Sequence, residues 1–221
     1  MCQATLARAL PFGAFIAFIA LDPWLRGIAE NGSMDPRWWY GVRVATAGVL
    51  LLWFWREYEE LRTLAAAGVR DWVLAVAVGA AVFVVWIHLD VWPLAFSGST
   101  GFDPRAGASI DWPLALVRLA GAALVVPVME ELFWRSLVMR WIQRTDFLKV
   151  APAEVGGRAL VVSAALFALE HHLWFAGLLA GLAYGWLYVR CGNLWAPTLA
   201  HAVTNAMLGV WVLQTGNWQF W

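Results

Sequence analysis

The chain has 221 residues, 15 basic and 15 acidic, so its formal net charge is zero and nothing in the charge balance suits nucleic acid. Only 14% of it is charged, against roughly 25% in soluble globular proteins, while 62% is hydrophobic and 17 residues are tryptophan. With a mean hydropathy of +0.66, this excludes an ordinary soluble domain. It predicts an all-α, polytopic transmembrane helix bundle of about seven to eight helices, organised as a single integral-membrane domain over residues 1–221.

Seven apolar segments follow one another along the chain. The first, 10–25, has a basic residue before its apolar run. No small-x-small cleavage site follows cleanly, so it reads as a first membrane helix rather than a signal peptide. A polar, turn-rich linker (22–37) leads to the second segment, 38–55. Residues 56–71 read as a solvated loop, with an amphipathic interfacial helix as the alternative. The third segment, 72–88, ends at His88, read as interfacial. A loop rich in Gly, Ser and Pro (95–111) precedes the fourth, 112–141. At 1.5 Å per residue that segment spans about 45 Å, longer than a hydrocarbon core, so it must tilt, project from the bilayer or kink at Pro127.

The fifth segment, 159–171, is short, and HHLW (171–174) leaves almost no loop before the sixth, 175–189. The two are expected to form a tight hairpin or a partly re-entrant pair. The sixth carries Gly177, Gly181 and Gly185 at four-residue spacing, a face for close helix contact. The seventh, 194–213, is followed by TGNWQFW, whose tryptophans suit a membrane interface. With the N-terminus inside, nine basic residues outside the segments or at their ends, Arg8 and Arg140 among them, fall on the inner side and three on the outer. The positive-inside rule then predicts a cytoplasmic N-terminus. Cys2 and Cys191 lie in no metal-spacing motif, and no disulfide between them is expected.

Charges inside such segments are costly and functional by default. Arg43 and Arg118 lie near segment ends, where they can snorkel to the interface in a structural role. In VPVMEELFWRSLVMRW (126–141), Glu131 and Arg135 are four apart and share a helix face, so they offset each other. Glu130 is left as the less compensated acid, suited to proton transfer. His171 and His172 follow FALE (167–170), and His201 and Asn205 share a face four residues apart. If these helices converge, Glu130, His171 and His201 surround one intramembrane cavity. Such a set can activate water directly or hold a divalent metal that does so, and Asn205 can donate to a developing oxyanion. The same groups would also serve a proton-coupled transporter or a polar packing network. Neither HExxH nor GxSxG is present.

EELFWR (130–135), FALEH (167–171) and HAVTN (201–205) match, in order, the EExxxR, FxxxH and HxxxN motifs of the CAAX-processing and bacteriocin-processing (CPBP) intramembrane proteases. The chain resembles that family over a core of residues 121–213. Over most of its length it is similar to the bacterial CAAX-protease-related proteins of exosortase and exopolysaccharide contexts. The resemblance implies an intramembrane endopeptidase in a bacterial inner membrane, acting on a membrane-associated peptide or protein. An exosortase or exopolysaccharide-system protein is an implied partner. A non-catalytic scaffold or chaperone of such a system is the alternative. Carried over residue by residue, Glu130 activates water and His171 assists. His201 and Asn205 line the site and stabilise the oxyanion, and Glu131 and Arg135 support it. His172 is not demanded by the motif; its open roles are to tune the site, to bind or to cap the hairpin. A divalent metal such as Zn, held by Glu130, His171 and His201, is the second implied route.

Overall fold

A computed structural model describes residues 3–31, 34–62, 67–96 and 101–221. Cys2 and parts of the 22–37, 56–71 and 95–111 linkers lie outside those residues. The described chain is all-α apart from a minimal hairpin in which β1 (Arg105–Ala106) pairs antiparallel with β2 (Ser109–Ile110). The helices are α1 (Gln3–Ala20), α2 (Asp22–Asn31), α3 (Trp39–Trp53), α4 (Glu59–Arg62) and α5 (Val69–His88). A composite rod follows, made of α6 (Trp112–Ala120), α7 (Val126–Glu131) and α8 (Arg140–Gln143), joined by π-helical turns at Gly121–Val125 and Leu132–Met139. The chain ends with α9 (Gly157–Ala168), α10 (Trp174–Cys191) and α11 (Trp195–Thr215).

All seven apolar segments are helical, yet among the described residues only four helices are long and apolar enough to cross a membrane: Gln3–Ala20, Val69–His88, Trp112–Gln143 and Trp195–Thr215. The expectation of seven to eight spanning helices is corrected to these four. Helix α3 has 15 residues and α9 has 12, so each is shorter than the roughly 30 Å hydrocarbon core. Helix α10 has 18 residues, but its Trp, Tyr, Gly and Arg190 dilute its hydropathy. The outward surface is nonetheless apolar, with Leu52 75%, Trp53 80% and Leu124 67% exposed, as a lipid-facing shell requires.

Two polar ends bound this bundle. At one, Arg8 is only 1% exposed. Its Nε donates to Ser136 Oγ at 2.8 Å, its Nη2 to Glu60 at 2.7 and 2.8 Å, and its Nη1 to the Ala4 carbonyl at 3.0 Å. Ser136 also hydrogen-bonds Glu60, and Tyr58 donates to the Ala7 carbonyl at 2.6 Å. Arg8 was expected on the inner surface. It is buried instead because α1 starts at Gln3, well before residue 10. Arg140, also counted as a surface charge, is 8% exposed and donates to Ser136 and the Leu148 carbonyl.

At the other end, the polar linker 22–37 contains a true helix, α2. Arg37 ties the β1–β2 hairpin down through the carbonyls of Asp103 and Arg105, at 2.9 and 2.7 Å. The α9–α10 connection also reaches this end. Phe96 N–H donates to the His172 carbonyl at 2.9 Å, Phe175 N–H to the Leu94 carbonyl at 3.3 Å, and the Trp174 indole to the Pro93 carbonyl at 2.9 Å.

Two close approaches hold the helices that carry the site. A Cβ at Gly181 would stand 2.9 Å from the Ala164 Cα, so the glycine face of α10 does bring it against α9. At Gly79 a Cβ would collide with the Ala200 carbonyl oxygen. There α5 and α11 touch backbone to backbone, and Thr204 Oγ1 donates to the Gly79 carbonyl at 2.8 Å.

Candidate functional site

The composite rod sets the site. In the turn Gly121–Val125, the Val126 amide reaches back five residues to the Gly121 carbonyl. The next amide in that pattern would be residue 127, a proline with no N–H. The carbonyl it would have served, Ala122, accepts instead from Asn205 Nδ2 at 2.8 Å. The break expected at Pro127 is therefore a widened turn just before it, closed by a side chain from α11. π turns of this kind are frequent at functional sites.

Beyond that turn, Glu130 and Glu131 are 7% and 0% exposed. Glu131 is the hub. Its Oε2 lies 3.0 Å from Arg135 Nε, and its Oε1 lies 3.0 Å from His201 Nδ1. Arg135, 1% exposed, also donates to the Gly181 carbonyl at 3.3 Å, and its guanidinium lies 4.8 and 5.6 Å from the ring centroids of Phe167 and Tyr184. The Tyr184 ring stacks on His201 at 5.1 Å, and its hydroxyl donates to Thr204 Oγ1 at 2.7 Å. A carboxylate accepts, so His201 Nδ1 carries the proton and Nε2 is the free nitrogen.

His171 is fixed in the same way on the other side of Phe167. It lies just past the end of α9, its Nδ1 2.8 Å from the Phe167 carbonyl, which can only accept. Its ring sits 4.5 Å from Phe167 and edge-on to Trp86 at 5.3 Å. Phe167 also meets His201 edge-on at 6.2 Å, so one aromatic ring separates the two imidazoles.

A cavity of about 270 Å³ gathers Glu130, His171, His201 and Asn205, together with Glu170 and Tyr184. Glu130 Oε2 is buried there with no hydrogen-bond partner, an arrangement rare enough in folded proteins to need an explanation. His172 is turned away from this cavity, with Nε2 3.9 Å from Asp90 Oδ1.

Both histidines have Nδ1 anchored on an oxygen, as metal-ligating histidines do. Among the described residues, however, no three His, Cys, Asp or Glu side chains form a group able to hold a metal ion. The donors Glu130, His171 and His201 share the cavity without closing into a ligand set, so no step below is routed through a metal.

Sequence reasoning did not single out Glu170, Tyr184, Phe220 or Trp221, which line the cavity, the last two because the tail folds back, and it paired Glu131 with Arg135 but not with His201. The tail had been read only as an interfacial anchor. Tyr184 and Thr204 carried a signal: polar side chains on otherwise apolar helices, each needing a partner.

Residues 112–207, less than half of the chain, match the family model described as Type II CAAX prenyl endopeptidase Rce1-like. That match starts where the composite rod starts and contains Glu130, Glu131, Arg135, His171, His201 and Asn205. No curated protein and no solved structure matches the chain.

Proposed function

We propose, from the match of residues 112–207 to the CAAX-protease family model, that the chain is an intramembrane endopeptidase that hydrolyses a peptide bond with water activated by Glu130. One observation carries the reading: Glu130 Oε2 is buried, unpartnered and in a cavity shared with two oriented imidazoles. Glu130 removes a proton from water, the hydroxide attacks the peptide carbonyl, and the same proton passes to the leaving amine as the C–N bond breaks.

His171 presents Nε2 as an acceptor and holds the attacking water. His201 backs onto Glu131 through Nδ1, the arrangement by which a carboxylate fixes the orientation of an imidazole, and it lines the cavity beside the oxyanion. Asn205 spends one Nδ2 hydrogen on Ala122 and has a second for the same oxygen. Glu131 and Arg135 hold His201 in place. A divalent metal remains a separate proposal, checked by metal content of the purified protein. It would require Glu130, His171 and His201 to close together.

The substrate in this reading is a membrane-associated peptide or protein, and a component of an exosortase or exopolysaccharide system fits the bacterial resemblance. The chain crosses the inner membrane with its N-terminus cytoplasmic. The test is cleavage of membrane peptides by the protein in proteoliposomes, followed by mass spectrometry. Glu130→Gln, His171→Ala and His201→Ala each abolish or sharply reduce cleavage, and full activity in Glu130→Gln overturns the mechanism.

A further inference from the structure

The cavity that holds Glu130 is also lined by Arg43 and Arg118, and both arginines line a second cavity of about 310 Å³ at the end where α2 begins. The two cavities share Ile19, Tyr40 and Trp221 as well, so the arginine pair stands between them. Both guanidiniums rest on the same ring: Arg43 is 4.9 Å and Arg118 4.3 Å from the Tyr40 centroid. Arg43 also lies 4.4 Å from Phe15, and Arg118 5.5 Å from Phe102.

Neither arginine makes an ion pair with a described residue, and Nε of each is buried without a hydrogen-bond partner. The acids nearby are committed elsewhere. Asp22 pairs with Arg26 at 2.5 Å, Asp35 pairs with Arg37 at 2.6 Å, and Asp111 caps α6 through the Leu114 amide at 3.2 Å.

Snorkelling alone leaves the buried Nε of each arginine unexplained, and both residues are only half-buried. Aromatic faces attract a cation without neutralising it. Two like charges side by side in an apolar wall therefore leave a positive potential directed into both cavities. Arg43 lies outside the residues that match the family model, so the pair belongs to this chain's own architecture.

The geometry points to Arg43 and Arg118 as a recognition site for a carboxylate of the peptide substrate, which enters through the second cavity and is held there while its scissile bond lies at Glu130. The inference rests on the hydrolytic reading only for the position of that bond. Arg118 and Glu130 are twelve residues apart on one rod, roughly 18 Å at 1.5 Å per residue. An extended peptide covers that in about five residues, so the carboxylate, from an acidic side chain or the chain terminus, lies no more than about five residues from the cleaved bond. A peptide is favoured over a lipid phosphate because the second cavity is bordered by Arg26 and Asp22, whose side chains are 52% and 37% exposed.

Binding on the Glu130→Gln protein tests this without turnover, so failure here is distinct from failure of the hydrolytic reading. Fluorescein-labelled apolar octapeptides would be titrated into nanodiscs by anisotropy in three forms: free C-terminal carboxylate, C-terminal amide, and amide with one internal Asp. At least one carboxylate form is expected to bind tenfold or more tightly than the plain amide, and which one binds identifies the source of the charge. Arg43→Gln and Arg118→Gln should each reduce that preference below threefold, and Arg43→Lys should restore part of it, with thermal unfolding confirming that each variant folds. Equal binding of acid and amide, no measurable binding of any form, or a preference that survives both substitutions overturns the proposal. So does loss of binding only when phosphatidylglycerol replaces phosphatidylcholine in the disc, which assigns the arginines to an anionic lipid headgroup.

Discussion

Two buried polar clusters occupy the same apolar bundle and solve the same problem in opposite ways. Around Arg8, every guanidinium nitrogen donates, to Glu60, Ser136 or a backbone carbonyl. Around Glu131, the contacts to Arg135 and His201 are equally close, yet the neighbouring acid, Glu130, keeps an oxygen without a partner. Burial is expensive in both places. The first cluster recovers the cost as a fixed joint between α1, α4 and the composite rod. The second leaves several buried atoms without a hydrogen bond, and the one of them on Glu130 lies in the cavity, where proton-transfer chemistry needs it.

Breaking the clusters separately sharpens that contrast. The largest effect is expected at Glu130: Glu130→Gln should lower the cleavage rate by roughly 10²–10⁴-fold, the usual contribution of a general base. Its thermal midpoint should hold, because Gln keeps the shape of a side chain whose Oε2 makes no hydrogen bond. At Arg8 the pattern reverses. Arg8→Met strands Glu60 and should cost about 3 kcal/mol of stability, the low end for a buried pair, because Glu60 keeps 15% exposure. Chemical denaturation in detergent measures this. The variant that remains folded should still cleave.

Asn205→Ala lies between the two. It leaves the Ala122 carbonyl without its donor, about 1–2 kcal/mol, and also lowers activity, so stability and rate should fall together. A fall in only one of them separates a supporting role from a direct one.

The smallest effect is a pH dependence. Burial raises the Glu60 carboxyl, but the Arg8 charge and the hydrogen bonds from Ser136 and Arg8 outweigh it and hold the group below its ordinary value of 4.5. A group depressed on folding adds stability that is complete above 4.5 and is lost as pH falls through the lower, folded value. Unfolding midpoints measured from pH 6 down to about pH 3 should therefore decline, and Glu60→Gln should flatten that decline.

Much of this was legible beforehand because its signals are local. Seven apolar runs became seven helices, and EELFWR, FALEH and HAVTN placed Glu130, His171, His201 and Asn205, which line one cavity. The glycine spacing on α10 likewise foretold its contact with α9. What escaped is non-local or depends on exact length. Arg8 precedes its apolar run and looked like a surface charge, since its partners are 52 and 128 positions away. Glu131 had an adequate partner in Arg135, so nothing in the sequence asked for His201, 70 residues on. Arg43 and Arg118 meet only because Tyr40 lies between them, and helix-end position alone made each look ordinary. Segment length also misled: α9 stops at Ala168 because His171 belongs to the turn that follows.

The widened turn at Gly121–Val125 has one more consequence. A π turn closes over five residues where an α turn closes over four, so it stores one residue's worth of phase. Deleting a single residue there would let the ladder close as ordinary α-helix with everything beyond it still in phase, whereas deleting one from α6 would rotate the rest of the rod by roughly 100°. In the second case Glu130 would swing off the cavity while all three motifs stayed intact. The widened turn is thus a place where the rod tolerates the loss of a residue, a property that a deletion series can detect and a substitution scan cannot.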